Sequence, residues 1–274
     1  MAPDAGLDAE VRRVDEDRWL ASRFAPADVR ERLVAVYALN HEIARTADVV
    51  TQAAIGDIRL QWWRDALAEV FEGRRVRAHP VLAAVAQAHR EAPLPLDALE
   101  ALIDARGRDL DGAPFATFAE IDAYVDGTAG NLLRTALAAC GADSDAPIVN
   151  AGARAWGYAG LLRAASHWRA RGRSVLPQEN ADPHAMVERA RAAFAAARAE
   201  VISAEAFPAI GYVALTPLYL RVIEGGRTDL NLFTRQLKLV AASATGRLEP
   251  TTFRDRPKRD PPWRASWRGR VPRL

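Results

Sequence analysis

Apolar residues recur three and four positions apart along nearly the whole chain. Leu33, Val36 and Tyr37 lead, by way of Asn40, to Ile43, Ala44 and Ala47. That is the period of a helix with one buried face, and alternating strand-like segments are nearly absent. Glycine, proline and small polar clusters divide the chain into expected helices over 8–24, 27–50, 54–73, 79–91, 95–110, 117–140, 148–170, 182–203, 207–225 and 229–246. Thr117 stands three residues before Glu120, the spacing of a capping box, and marks the start of one of them. The connectors "GRRVRAHP", "EAPLP", "DLDGAPFAT" and "CGADSDAP" are short, and there is no internal repeat or hinge-like linker before Thr251. The expectation is a single all-α domain over 1–250, followed by a separate tail over 251–274.

Half of the 274 residues are hydrophobic, enough for a sizeable core. Cys140 is the only cysteine, which leaves no internal disulfide framework and no cysteine-based zinc site. The opening "MAPDAGLDAEVRRVDEDRW" is acidic and lacks an apolar core, unlike a secretory signal or a mitochondrial transit peptide. A cytoplasmic location is therefore expected. The longest uncharged run, 206–220, falls short of the roughly 20 residues of a membrane span and contains Pro208 and Pro217.

The net charge of +2 conceals an asymmetry. Residues 254–274 carry eight basic side chains against Asp255 and Asp260, which makes that segment +6 and the remainder −4. This tail has no periodicity and is expected to be disordered in isolation. Arg259, Trp263, Arg264, Trp267, Arg268 and Arg270 combine cations with amphipathic rings, which suits an anionic, partly apolar layer such as lipid headgroups. A solubilising arginine tail is the plainer alternative. RNA binding through the tail would be steeply salt-dependent, but the body offers no pattern of aromatic platforms, so nucleic acid is not the expected partner. A phosphate-cradling glycine loop and a dinucleotide fingerprint are also missing.

Three segments in register resemble the squalene/phytoene synthase family: "DRWLASRFAPADVRERLVAVYALNHEIARTADVV", "LIDARGRDLDGAPFATFAEIDAYVDGTAGNLL" and "YAGLLRAASHWRARGRSVLPQE". The likeness covers Asp17 to about Glu179 and continues more weakly to about Arg247. It implies an isoprenoid-synthase fold, a helical bundle around a central and largely apolar cavity. Catalytic members join two prenyl diphosphates head to head. The departing pyrophosphate is neutralised by magnesium ions, hard cations that take oxygen ligands from Asp pairs four residues apart on two facing helices. Laid on this chain, the four carboxylate positions fall at Ala44, Asp48, Ala164 and Trp168, so one acid remains. A family Asn corresponds to Gly160 and a diphosphate-contacting Arg to His41. The residues carried over as a diphosphate- or lipid-binding remnant are Tyr37, His41, Arg163, Arg171 and Arg173, with Asp48 as a lone metal ligand.

Other acids offer little replacement. Glu42 lies two residues before Ala44, about 160° around the helix, and should point away from that face. Asp104 and Asp109 sit beside Arg106 and Arg108, which favours a salt-bridged face over a metal site. His167 follows Ser166 with no carboxylate nearby in sequence to complete a nucleophilic triad. One of Trp62 and Trp63 should pack in the core while the other shields a surface. Gly127, Gly130 and Gly160 in helical segments suggest close approach by a helix or a lipid tail.

The losses resemble a non-catalytic branch of the family, which includes a mitochondrial factor needed to assemble respiratory complex I. "ALNHEIARTADVVTQAAIGDIRLQWW" places Asn40, Glu42, Ile55, Gly56, Arg59, Gln61 and Trp63 where that branch has them, and "AFPAI" over 206–210 matches as well. The acidic opening, unlike a transit peptide, and the arginine tail depart from the mitochondrial factor and suggest a bacterial relative, cytoplasmic or peripheral to the inner membrane, with no cofactor expected. Its partners would be complex I subunits or an assembly intermediate, an anionic membrane surface, or an isoprenoid-like lipid. The alternative is an active, magnesium-dependent prenyltransferase acting on farnesyl or geranylgeranyl diphosphate.

Overall fold

The computed structural model describes residues 5–227 and 229–249. Among them every regular element is helical, so the expected all-α class holds. The tail, with Arg259, Trp263, Arg264, Trp267, Arg268 and Arg270, lies outside the described residues.

Helices α1 (Ala5–Val14) and α2 (Glu16–Ser22) occupy the segment expected as one helix over 8–24. The break is Asp15, whose backbone leaves the helical region at φ −145° and ψ 61°. Helix α3 (Ala27–Ala44) is buried almost without interruption from Leu33 to Leu39, so it runs through the centre of the bundle. After Arg45 the chain makes one further turn, α4 (Thr46–Val49), and leaves extended at Val50.

Helices α5 (Ala53–Phe71), α6 (Pro80–Glu91) and α7 (Leu96–Asp111) follow near their expected limits. Gly112, with φ 68°, ends α7 in the left-handed conformation that side chains beyond glycine rarely take. Trp63 is fully buried and packs edge-on against Trp62, which is half-buried and covered by Arg77, as the dipeptide suggested.

The segment expected as one helix over 117–140 is α8 (Phe118–Val125), a π-helical turn (Asp126–Gly130) and α9 (Asn131–Ala139). Thr117 caps α8 by accepting from the Glu120 amide at 3.3 Å. Glu120 turns instead to the Ala116 amide and Arg108.

Helix α10 (Ile148–Ala170) is the second buried helix, and it packs along α11 (Pro183–Ala197), the π turn and α13. The remaining elements are α12 (Phe207–Ile210), a 3₁₀ turn (Gly211–Leu215), α13 (Thr216–Glu224) and α14 (Leu232–Thr245). Two apolar clusters result. The larger centres on α3, and the smaller, around Phe115, Ile121, Tyr158 and Met186, joins α8, α10 and α11.

Among the described residues, no helix is long and apolar enough to cross a membrane.

Candidate functional site

The C-terminal halves of α3 and α10, with α4, the π turn and the end of α7, enclose a cavity of about 380 Å³. Ala44, Asp48, Gly160, Arg163, Ala164, His167, Trp168, Arg171 and Arg173 all line it. Two segments more than 100 residues apart in sequence are thus brought together by the bundle, as the family resemblance implied. Tyr37 and His41 do not line the cavity. Tyr37 is buried in the core with its hydroxyl unpartnered, and burial pushes its pKa well up. His41 faces α1, with Nε2 3.9 Å from Glu10.

Asp48 is the single acid at the four positions, and Arg171 and His167 hold it. Arg171 lies 3.0 Å from its carboxylate and His167 Nε2 lies 3.4 Å away. His167 thus has a carboxylate partner after all, one that its sequence neighbourhood could not reveal. Ala44, Ala164 and Trp168 supply no oxygen, and Trp168 instead stacks on Phe115 with ring centroids 6.3 Å apart. Among the described residues no three His, Cys, Asp or Glu side chains are grouped to hold a metal ion. A hexacoordinate magnesium ion does not fit this donor set.

The remaining arginines are partly committed to the scaffold. Arg163 donates to Asp17 at 3.2 Å and lies over the Tyr219 ring at 4.2 Å. Arg173 donates to the Asp109 carbonyl at 2.7 Å and covers Trp168 at 4.5 Å. It is carried there by Gly172, whose φ of 71° turns the chain after α10.

The inner wall is not largely apolar, contrary to the expectation from the fold. The break between α1 and α2 places Asp15 and Arg18 there, 2.6 Å apart, with Arg18 only 8 % exposed. Burial works against the charge on Arg18, but Asp15 and Tyr212 outweigh it and hold its pKa above the ordinary value. On the other side Arg106 donates to Tyr124 at 2.8 Å and to Asp109 at 3.1 Å, while the Tyr124 hydroxyl donates to Asp109 at 2.9 Å. Burial again opposes the Arg106 charge, and Tyr124 and Asp109 outweigh it.

Asp109 is thus ion-paired with Arg106, as the sequence suggested, but in a buried network at the cavity, whereas Asp104 pairs with Arg64 outside it. Arg18 Nε, Arg106 Nε, Arg173 Nε and Asn40 Oδ1 are buried, line the cavity and lack a hydrogen-bond partner. Five arginines against three aspartates leave the wall net cationic. Such a surface can take an anion through charge-assisted hydrogen bonds without a metal.

Glu42 points away from the cavity as expected and accepts from Arg45 at 2.9 Å and Arg59 at 3.3 Å. Thus two residues of the branch signature form an α3–α5 clamp. A third, Gly56, sits where an added Cβ would lie 2.4 Å from Leu110. Gly127 admits the close approach of Ala105 in α7, Gly130 is in ordinary contact, and Gly160 borders open cavity space.

Comparison with known proteins gives these features a lineage. Curated relatives named "NADH dehydrogenase (ubiquinone) complex I, assembly factor 6" are 28 % identical over 174 residues in Bos taurus and Mus musculus, and 26 % in Homo sapiens. The match covers 62 % of this chain and 51 % of theirs, so the chain spans about half the length of those relatives. A dehydrosqualene synthase solved with a ligand superposes with a TM-score of 0.76 at 15 % identity, covering 88 % of this chain and 94 % of that one. The squalene synthase HpnC from Alicyclobacillus acidocaldarius gives 0.62 at 19 % identity, covering 88 % and 93 %. These likenesses establish the isoprenoid-synthase fold. The Squalene/phytoene synthase profile matches residues 11–185, more than half the chain, and the protein belongs to the squalene/phytoene synthase family.

Proposed function

We propose that this protein is a non-catalytic member of its family, an assembly factor for a respiratory complex that works at the membrane surface and uses its cavity as a metal-free anion site. The carrying observation is the state of Asp48. One carboxylate engaged by Arg171 and His167, facing Ala44, Ala164 and Trp168, cannot organise the magnesium cluster that ionises an allylic diphosphate. The names of the curated relatives support the assembly role, with complex I subunits or an assembly intermediate as partner. The net cationic wall and the orphaned donors of Arg18, Arg106 and Arg173 support an anionic headgroup, of an isoprenoid-like lipid or a free phosphate, as ligand. No cofactor is assigned.

The test is thermal unfolding in the presence of pyrophosphate, once with EDTA and once with excess magnesium. A ligand that binds only the folded state raises the midpoint by mass action. The expected result is the same rise in both conditions, lost in Arg171→Ala. Stabilisation that requires magnesium would overturn the metal-free site.

A further inference from the structure

Helix α14 has two apolar faces. Leu239 and Ala242 are buried against the bundle. Phe233, Leu237 and Val240, at helical spacing on the other side, are 72 %, 60 % and 54 % exposed, and Leu232 at the helix start is 39 % exposed. Phe233 and Leu237 are among the largest exposed apolar side chains of the described residues, and they stand one turn apart.

The described residues flanking this stripe include the cations Arg227, Lys238 and Arg247, with the exposed Asp229 as an opposing charge beside Arg227. Arg227 precedes α14 and Arg247 follows it, and neither pairs with a carboxylate among the described residues. Lys238 lies between them. Its pKa is lowered first by burial, with Arg221 pushing the same way and Glu249 opposing. Beyond Thr245 the +6 segment begins at Arg254, nine positions on, within at most about 32 Å of extended chain.

We propose that the exposed face of α14 docks on an anionic lipid bilayer, with Phe233, Leu237 and Val240 entering the headgroup boundary while Arg227 and Arg247 contact acidic headgroups. The inference rests on the membrane-peripheral reading above and names the element that carries it. An amphipathic helix rimmed by cations binds by this combination of apolar insertion and charge. Two other occupants fit less well. One face of a 14-residue helix is about 21 Å long and presents on the order of 200 Å², well below the roughly 800 Å² per partner of a stable dimer. The chain's own tail would bring +6 against a rim that is already positive.

The experiment is vesicle co-sedimentation of the full chain with phosphatidylcholine, with and without phosphatidylglycerol. Phe233→Ser with Leu237→Ser is compared with the wild type and with a chain ending at Phe253. Both serines replace exposed side chains, so unfolding and pyrophosphate binding should not change. The wild type is expected to bind only the vesicles containing phosphatidylglycerol, and the double variant to bind them about tenfold more weakly or worse. If the double variant binds like the wild type while the truncated chain does not, docking belongs to the tail alone. The α14 inference then falls and the peripheral reading stands. If the wild type binds neither vesicle, both fall. Tighter binding by the truncated chain would mean that the tail covers the stripe. A wild-type dimer that the serines dissociate, seen by light scattering, would mean that a second copy does. Either result overturns the proposal.

Discussion

Asp17 and Asp48 carry the same side chain within one bundle and meet opposite circumstances. Asp17 is buried and accepts from Tyr219 at 2.6 Å, Arg235 at 3.0 Å and Arg163 at 3.2 Å, which ties α2 to α10, α13 and α14. Asp48 is partly exposed at the cavity, where Arg171 and His167 compete for it. Removing the Asp17 charge leaves two arginines short of a partner where water cannot fully replace it. Asp17→Asn should therefore cost about 3 kcal/mol in urea unfolding. A loss under 1 kcal/mol would show that Glu16, which also pairs with Arg235, suffices.

At this scale the sequence was legible where a residue's role is local. Thr117 as a cap, Glu42 turned from the cavity and the split roles of Trp62 and Trp63 all follow from helical geometry. It was not legible where a partner comes from another helix. Asp48 and His167 stand far apart in sequence, and Asp15 and Arg18 read as the interior of one helix, although the break at Asp15 aims both inward.

At the scale of elements, glycine separates packing from open space. In α10 a Cβ at Gly157 would lie 2.4 Å from a methyl of Val125, a β-branched side chain with little freedom to yield. Three residues on, Gly160 meets nothing within 4 Å. Gly157→Ala should destabilise by about 1–2 kcal/mol, because overpacking outweighs the gain in helix propensity. Gly160→Ala should stabilise by about 0.5–1 kcal/mol. Chemical denaturation of the two variants checks the pair, and equal effects would contradict the packing described here. Periodicity located the helices because each buries a face, but it passed over the breaks. A π turn inserts one residue without a breaker, so 117–140 keeps a helical pattern through Asp126–Gly130. The 3₁₀ turn at Gly211–Leu215 is equally silent, since every residue in it is buried and apolar or small.

At the scale of the whole molecule, the bundle places Ala44, Asp48, Ala164 and Trp168, where the resemblance puts the family's metal ligands, around one cavity, and arginine outnumbers aspartate on its wall. The fold was recognisable from three segments in register because their spacing reflects the stacking of helices. The polarity of the cavity was not recognisable, because Arg18, Arg106 and Asp109 reach it through tertiary packing. A scaffold does not fix a reaction, and in the function proposed here the side chains at 44, 48, 164 and 168 decide it. The central claim is that this cavity cannot assist the departure of pyrophosphate through magnesium. The direct measurement is a magnesium titration of the folded protein with labelled farnesyl and geranylgeranyl diphosphates, following released pyrophosphate and extractable hydrocarbon together. The account predicts neither product at saturating magnesium. Magnesium-dependent release of pyrophosphate with formation of a hydrocarbon would contradict it.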